Sequence, residues 1–327
     1  MNQHFLGVDI GNTKSHAIIA DEQGHILGFG QGGCGSPEVL GYGQFAESLG
    51  LLTNQALQAS GLEAQDISAG GFGVAGYDWP SQHEPCMAGI QALGLGGHSM
   101  MVNDALVGML AGAPSGWGIG LVAGTGSNCW GMDVQGRMGR MTGLSHLMDE
   151  GGGAGHLVLW ALQAVGRAWT QRGPQTIMTD LFLKAFGESD PLNLFERLAQ
   201  HEHLVDPALA PLVIQTAEVG DDAALGVIQQ AVESLTSLCI GVARQLDLLD
   251  VCVDVVLIGG VFKAGEILIT PLRAAITARI PAANLIRLEA PPVVGGVVLA
   301  MRQVGLQLSE DGMQRLQAEA VKLTAES

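Results

Sequence analysis

Residues 5–30 read FLGVDIGNTKSHAIIADEQGHILGFG and predict the first three strands of a sheet. Apolar runs at 5–10, 15–20 and 26–30 are separated by turn residues at 11–12 and 21–24. Short apolar segments bounded by Gly, Asn and Asp are typical of an antiparallel meander. The sequence therefore predicts three consecutive strands joined by tight turns.

The same pattern occurs a second time, which predicts a duplicated α/β fold. After the first meander we expect alternating helices and strands, at 45–59 (helix), 67–76 (strand), 81–93 (helix), 99–102 (strand) and from 105 (helix). The second copy has strands at 118–122, 128–133, 137–141, 253–258 and 284–289, and helices at 155–171, 222–249, 264–279, 293–303 and 309–327. The pattern is βββαβαβα twice, with a helical insertion near 155–250 in the second copy.

A duplicated fold of this kind places a ligand cleft between two similar domains, at the carboxyl ends of their strands. We expect a first domain of residues 1–112 plus the C-terminal helix at about 309–327, and a second domain of residues 113–308. A chain of 327 residues suits two cores better than one.

Composition limits the function classes. The net charge of −17 argues against a nucleic-acid surface, which needs clustered Lys and Arg. Five scattered cysteines without a CxxC pair are typical of reduced thiols in the cytoplasm. No signal peptide is recognisable in the first residues, and no apolar run reaches the ~18–20 residues that span a bilayer. We therefore expect a cytoplasmic protein with neither nucleic-acid nor membrane partners.

Three Gly-rich segments follow predicted strands, at 7–14 (GVDIGNTK), 123–128 (AGTGSN) and 255–261 (VVLIGGV). In the first, Asp9 can hold Mg²⁺ through water, Thr13 offers a hydroxyl and Lys14 a positive charge for phosphate oxygens. The second can point several N–H groups at an anion, and the third lets a base or ribose approach the backbone. Each segment alone could be an ordinary hairpin or core strand. Together they occupy matching places in the two copies.

These segments resemble the two phosphate motifs and the adenosine motif of the actin-like ATPase superfamily, whose fold is ribonuclease H-like. Within it, the chain is similar to the N-acetylglucosamine kinase and BadF/BadG/BcrA/BcrD ATPase family. The most specific matches are residues 124–129 (GTGSNC) and 149–151 (DEG), supported by 73–76 (GVAG) and 217–221 (AEVGD). The resemblance covers nearly the whole chain, and it implies ATP and Mg²⁺ as cofactors and a sugar as substrate.

The resemblance also implies roles for individual residues. Asp104 matches the catalytic base, which accepts the proton of a sugar hydroxyl, and Asp9 matches the metal-associated acid. Asp104 could instead be only the N-cap of the following helix. The positions implied for nucleotide binding are Gly11, Asn12, Thr13, Lys14, Gly124, Thr125, Gly126, Ala217, Gly259 and Gly260. Those implied for sugar binding are Ser36, Asp104, Ser127, Gly143, Leu144, Ser145 and Asp149.

Two departures bear on the sugar. Ser36 stands where N-acetylglucosamine kinases carry Asn, and Leu144 and Ser145 stand in place of a Trp-Gly pair. One residue fewer separates His146 from Asp149, which is closer to glucosamine kinases. The resemblance thus implies a kinase for the 6-hydroxyl of N-acetylglucosamine or glucosamine, acting as a homodimer. Two alternatives stay open, namely an ATPase that activates a partner enzyme and a non-catalytic sugar sensor.

Overall fold

The computed structural model describes residues 3–325, and its first sheet contains the predicted meander. The strand order is β3-β2-β1-β4-β5. The strands are β1 (His4–Ile10), β2 (Ser15–Asp21), β3 (Ile26–Gly32), β4 (Ile67–Val74) and β5 (His98–Asn103). β1 pairs antiparallel with β2 and parallel with β4, and β4 is parallel to β5. The carboxyl ends of β1, β4 and β5 therefore meet at one edge.

The second sheet repeats this order as β8-β7-β6-β9-β10, which confirms the duplicated fold. Its strands are β6 (Gly118–Ala123), β7 (Ser127–Met132), β8 (Met138–Arg140), β9 (Val253–Ile258) and β10 (Ala283–Arg287). β6 is antiparallel to β7 and parallel to β9, so β6 occupies the central place that β1 has in the first sheet. Each central strand runs directly into one of the predicted phosphate turns.

Eleven α-helices lie in the described part of the chain. They are α1 (Pro37–Ser60), α2 (His83–Gln91), α3 (Asp104–Gly112), α4 (Ala154–Trp169), α5 (Met178–Phe186), α6 (Pro191–Ala199), α7 (Ala210–Glu218), α8 (Asp222–Gln245), α9 (Glu266–Thr277), α10 (Val293–Gln303) and α11 (Glu310–Ala325). The insertion near 155–250 comprises α4 to α8, of which only α4 and α8 were predicted individually. α1 begins earlier than predicted and is broken at Gly41, whose φ is 78°. The last two residues of the predicted helix 309–327 lie outside the described residues.

Helices α3 and α10 each cross to the other sheet. α3 follows the first sheet but packs on the second, where a Cβ added to Gly108 would lie 2.6 Å from the side chain of Ile258. α10 follows the second sheet but packs on the first, where a Cβ on Gly296 would lie 2.8 Å from Val8 N. Adjacent Gly295 likewise brings α10 against α3. α10 thus shares the core of the first sheet with α11, although the sequence suggests that 293–308 belong to the second domain. The domain limits stay a prediction.

The second half contains the largest apolar core, and α8 runs through it. α8 is long and apolar enough to cross a membrane by length and composition, yet half of its most apolar window is buried inside the protein. Its buried residues, including Leu235 and Cys239, pack with those of α4 and β6. α8 is therefore a core helix, and it supports the sheet edge that carries the second phosphate turn.

Candidate active site

Two half-buried carboxylates lie at the strand ends of the first half. Asp9 is on β1, and Asp104 is the first residue of α3, directly after β5. Burial, and then the charge of Asp104, raise the pKa of Asp9 to about 8. Burial, and then the charge of Asp78, raise the pKa of Asp104 to about 7. A carboxylate that titrates near neutrality can accept a proton at working pH, which a general base requires.

The non-catalytic alternative requires Asp104 to be the N-cap of α3, and the structure gives that position to another residue. Asn103 is the cap, and its side chain accepts a hydrogen bond of 3.0 Å from Ala105 N. Asp104 Oδ1 accepts from the same N–H at 3.0 Å. Capping of α3 therefore does not depend on Asp104 alone, and its carboxylate lies at the positive end of the helix dipole.

The first predicted phosphate turn, residues 11–14, joins β1 to β2. Gly11 N donates to Ser15 Oγ at 3.2 Å, and Gly11 O accepts from Gly35 N at 3.1 Å. A Cβ added to Gly11 would collide with Lys14 O, so this turn needs glycine. Asn12, Thr13 and Lys14 are exposed, as groups that receive phosphates must be.

The second predicted phosphate turn, residues 123–127, joins β6 to β7. Gly124 N donates to Gly126 O at 2.9 Å and closes the turn. The carbonyls of Gly124 and Thr125 accept from Ala154 N and Gly155 N at 2.8 and 3.0 Å, which attaches the turn to the start of α4. Thr125 is exposed, and a Cβ added to Gly124 or Gly126 would meet nothing within 4 Å. The space beside these glycines is open to a ligand.

The predicted adenosine side adjoins this second turn. Gly259 has φ 114°, and an added Cβ would collide with Ala123 O, so the end of β9 lies against the end of β6. A 3₁₀ turn, Gly260–Ala264, follows and contacts α7, which carries the buried Ala217. A Cβ on Gly260 would meet nothing within 4 Å. The structure thus brings Gly259, Gly260 and Ala217 to one region beside the phosphate turn.

Two residues predicted to bind sugar are buried and use their hydroxyls within the chain. Ser36 is 0% exposed, and its Oγ donates to Ala75 O at 3.0 Å. The Ser36 hydroxyl is thus buried and bonded within the chain, and its contact with substrate stays a prediction. Ser127 Oγ donates to Glu150 O at 2.7 Å and is also buried, so it attaches the phosphate turn to the 143–150 loop.

The other predicted sugar residues lie in the loop after β8. Gly143, Ser145 and Asp149 have φ values of 77°, 51° and 57°, a left-handed conformation that is unusual for Ser and Asp. Leu144 is half-buried and Asp149 is exposed. Glu150 fixes the loop from inside, since its Oε1 accepts from Thr142 N at 2.7 Å. The backbone of the loop thus fixes the position of Asp149, and its side chain is exposed to solvent.

Sequence reasoning missed a group that joins the two halves. Asp78, in the loop after β4, accepts hydrogen bonds of 3.3 Å from Asn103 of the first half and Asn128 of the second. The guanidinium of Arg140 lies over the ring of neighbouring Trp79 at 4.8 Å. A signal was present, because an acidic and an aromatic residue directly follow the 73–76 motif at the end of a strand.

The chain fits Mg²⁺ and ATP on its own geometry. The glycines at 124, 126 and 260 leave open space beside two exposed turns. Among residues 3–325 no group of three His, Cys, Asp or Glu side chains could form a metal cage. Mg²⁺ usually keeps several waters and takes one or two carboxylates plus phosphate oxygens, so a single Asp9 suffices.

Comparison with known proteins agrees with this geometry. The model of the BadF/BadG/BcrA/BcrD ATPase family matches residues 6–300. An N-acetylmuramic acid/N-acetylglucosamine kinase of Clostridium acetobutylicum is 24% identical over 302 residues, 91% of this chain and 98% of the relative. An N-acetyl-D-glucosamine kinase of Dictyostelium discoideum is 23% identical over 320 residues, 91% of this chain and 97% of the relative.

Among solved structures, a candidate N-acetylglucosamine kinase of Chromobacterium violaceum matches with a TM-score of 0.69 and 23% identity. The match covers 91% of this chain and 98% of the other. At this level of identity the likeness shows the two-sheet fold.

Proposed function

Because the chain belongs to the BadF/BadG/BcrA/BcrD ATPase family, we propose that it is an ATP-dependent kinase acting on an amino sugar. It transfers the γ-phosphate to a hydroxyl of N-acetylglucosamine or glucosamine, at the 6-position. Two curated relatives that align over nearly their whole length are kinases of N-acetylated amino sugars, which supports this substrate class.

The observation that carries the proposal is the position of Asp104, which is half-buried directly after β5, at the edge where β1 and β4 also end. Its pKa of about 7 leaves a substantial fraction ionised at neutral pH, at the edge where the strands of the first half end. Asp104 takes the proton of the sugar hydroxyl as that oxygen forms a bond to the γ-phosphorus. The bond from this phosphorus to the β–γ bridging oxygen breaks, and ADP leaves with the electron pair.

The nucleotide is held by the two turns. Asn12, Thr13 and Lys14 contact phosphates from the first half, and Thr125 does so from the second, where Gly124 and Gly126 leave room. Gly259, Gly260 and Ala217 line the adenosine side. When bound, Mg²⁺ neutralises phosphate charge, and Asp9 would hold it through water.

The sugar is held by the loop after β8. Gly143, Leu144 and Ser145 shape its wall, and the exposed carboxylate of Asp149 accepts hydrogen bonds from sugar hydroxyls. Ser36 is buried in the first half, where its hydroxyl donates to Ala75 O after β4.

The direct test measures ADP release with glucosamine, N-acetylglucosamine, N-acetylmuramate, glucose and N-acetylmannosamine. We expect at least one amino sugar to stimulate release, and product analysis by NMR identifies the phosphorylated hydroxyl. If no sugar stimulates release while ATP is still hydrolysed, the kinase assignment falls. An ATPase that activates a partner enzyme then becomes the better assignment, and iron analysis of protein purified without oxygen tests it.

We further propose a homodimer in the cytoplasm, without nucleic-acid or membrane partners. The net charge of −17 and five cysteines without a disulfide are compatible with this. Light scattering after size exclusion measures the oligomeric state.

A further inference from the structure

The loop after β4 is fixed before it reaches the second half. Gln82 Oε1 accepts from both Asp78 N and Trp79 N at 2.7 Å. Asp78 is half-buried, and its carboxylate points away from this backbone anchor to meet side chains from two other elements. The position of this carboxylate is therefore set by the loop itself.

The first partner of Asp78 belongs to the strand that presents Asp104. Asn103 is 0% exposed and donates through Nδ2 to Asp78 Oδ1 at 3.3 Å and to Tyr77 O at 3.1 Å. Its Oδ1 caps α3 at Ala105 N. Asn103 therefore needs an acceptor on its amide nitrogen to keep its oxygen on the helix, and Asp78 is one of two.

The second partner belongs to the other sheet. Asn128 follows the second phosphate turn on β7, and its Nδ2 donates to the same Asp78 Oδ1 at 3.3 Å. One carboxylate oxygen thus joins β5, which leads into Asp104, to β7, which leaves the Gly124–Gly126 turn. A change in the distance between the two halves would break this arrangement.

Neighbouring contacts place the same loop against the second half. Arg140 of β8 lies between two indole rings, 4.8 Å from Trp79 and 5.2 Å from Trp130, so its cation bridges the halves. A Cβ added to Gly143, at the start of the sugar loop, would lie 2.7 Å from Asp78 Cγ. Burial raises the pKa of Asp78, the Asn128 bond and Arg140 oppose that rise, and Glu38 adds to it.

We propose that Asp78 is a positioning residue for phosphoryl transfer, because it holds Asn103 beside Asp104 and, through Asn128, fixes the first half to the second. This inference rests on the proposed kinase function. Asp78 acts as a hydrogen-bond acceptor rather than through contact with the reacting atoms. Without the Asp78 carboxylate, no shared hydrogen-bond acceptor would connect the start of α3 to the strand that follows the phosphate turn.

The kinetic test compares Asp78→Ala, which removes the acceptor, with Asp78→Asn, whose amide oxygen keeps it. We expect Asp78→Ala to lower kcat about 10- to 100-fold, in the range of a hydrogen bond to a charged group, with the KM for ATP within about twofold. Asp78→Asn should restore most of this loss. Equal losses in both variants, or a loss only in KM, would overturn the proposal.

Asn128→Ala tests the connection between the halves separately, since it leaves the bond to Asn103 intact. If Asp78 and Asn128 act through the hydrogen bond between them, the double variant Asp78→Ala/Asn128→Ala should be no slower than Asp78→Ala alone. Multiplicative losses would contradict a shared role. Asp190→Ala is the matched control, because Asp190 also accepts from an asparagine side-chain amide, Asn193 Nδ2 at 2.9 Å, but caps α6 in the helical insertion. It should leave kcat unchanged.

Backbone amide hydrogen exchange tests the proposal in the absence of any substrate. In Asp78→Ala we expect faster exchange in both α3 and β7, and near wild-type exchange in Asp78→Asn. If no sugar is phosphorylated by the wild type, the kinase function falls while this comparison still decides the role of Asp78. Unchanged exchange in Asp78→Ala, with its fold verified by circular dichroism, would refute the link between the halves.

Discussion

Asp9→Asn should stabilise the ligand-free protein at alkaline pH, although it removes the carboxylate proposed to hold Mg²⁺. Burial, followed by the charge of Asp104, raises the pKa of Asp9 from 3.8 to about 8. The unfolded chain therefore loses this proton near pH 4, while the folded protein keeps it until about pH 8. The stability associated with protonated Asp9 is complete below pH 4 and is lost as the pH rises through 8. Asparagine has no such dependence.

The size of the effect follows from the shift. At 1.36 kcal/mol per pKa unit, a rise from 3.8 to about 8 corresponds to an upper limit of roughly 6 kcal/mol. Asp9 is only half-buried, so water and local relaxation reduce this, and we expect about 1–3 kcal/mol at pH 8. For a chain of this length that gain raises Tm by roughly 2–6 °C.

The assay is thermal and urea unfolding of wild type and Asp9→Asn between pH 4.5 and 8.5, without nucleotide. The gain should be largest at pH 8 and vanish toward pH 4.5. Asp133→Asn is the control of opposite sign. Burial raises the pKa of Asp133, but hydrogen bonds from Arg137 and from nearby backbone lower it overall, so removing this carboxylate should destabilise the protein at neutral pH. A pH-independent gain for Asp9→Asn, or none, would refute the electrostatic reasoning. Added Mg-ATP should raise Tm less in Asp9→Asn than in wild type.

Five further substitutions test the site. Asp104→Asn should lower kcat about 10²–10⁴-fold, while calorimetry should show unchanged ATP affinity. In the wild type kcat/KM should rise with pH through about 7, and this rise should disappear in the variant. A near wild-type kcat would assign the base to another carboxylate. Asp149→Asn should mainly raise the KM for sugar, since Asn tolerates the left-handed backbone there, and a fall in kcat alone would contradict a binding role. Thr125→Val should weaken ATP binding in calorimetry, because it removes an exposed hydroxyl from the second turn, and unchanged affinity would count against that contact. Gly259→Ala should cost about 1–3 kcal/mol in urea unfolding because φ is 114°, whereas Gly124→Ala, with open space around it, should cost little.

Much of the architecture was predictable because its signals are local. Strand runs of six or seven residues, with only three in β8, are bounded by Gly, Asn and Asp and specify the two meanders, and the restart at Gly118 specifies the duplication. The resemblance of residues 124–129 and 149–151 to a known family pointed to the same cleft. The three helices at 178–218 were harder to predict individually, since each has only nine residues.

The sequence by itself determined which residues form the two phosphate turns, and that one carboxylate lies near the end of β1 and another directly after β5. These features depend on strand-forming apolar runs and turn-forming glycines, which are local signals of a few residues. Tertiary structure alone decided that Ser36 is buried, that Asn103 rather than Asp104 caps α3, and that α10 returns to the first sheet. It also decided that Asp78 meets Asn128, fifty residues away. Burial, pKa values and contacts between the halves depend on how the two sheets pack together. No short segment of sequence specifies this packing, because it joins residues that are far apart in the chain.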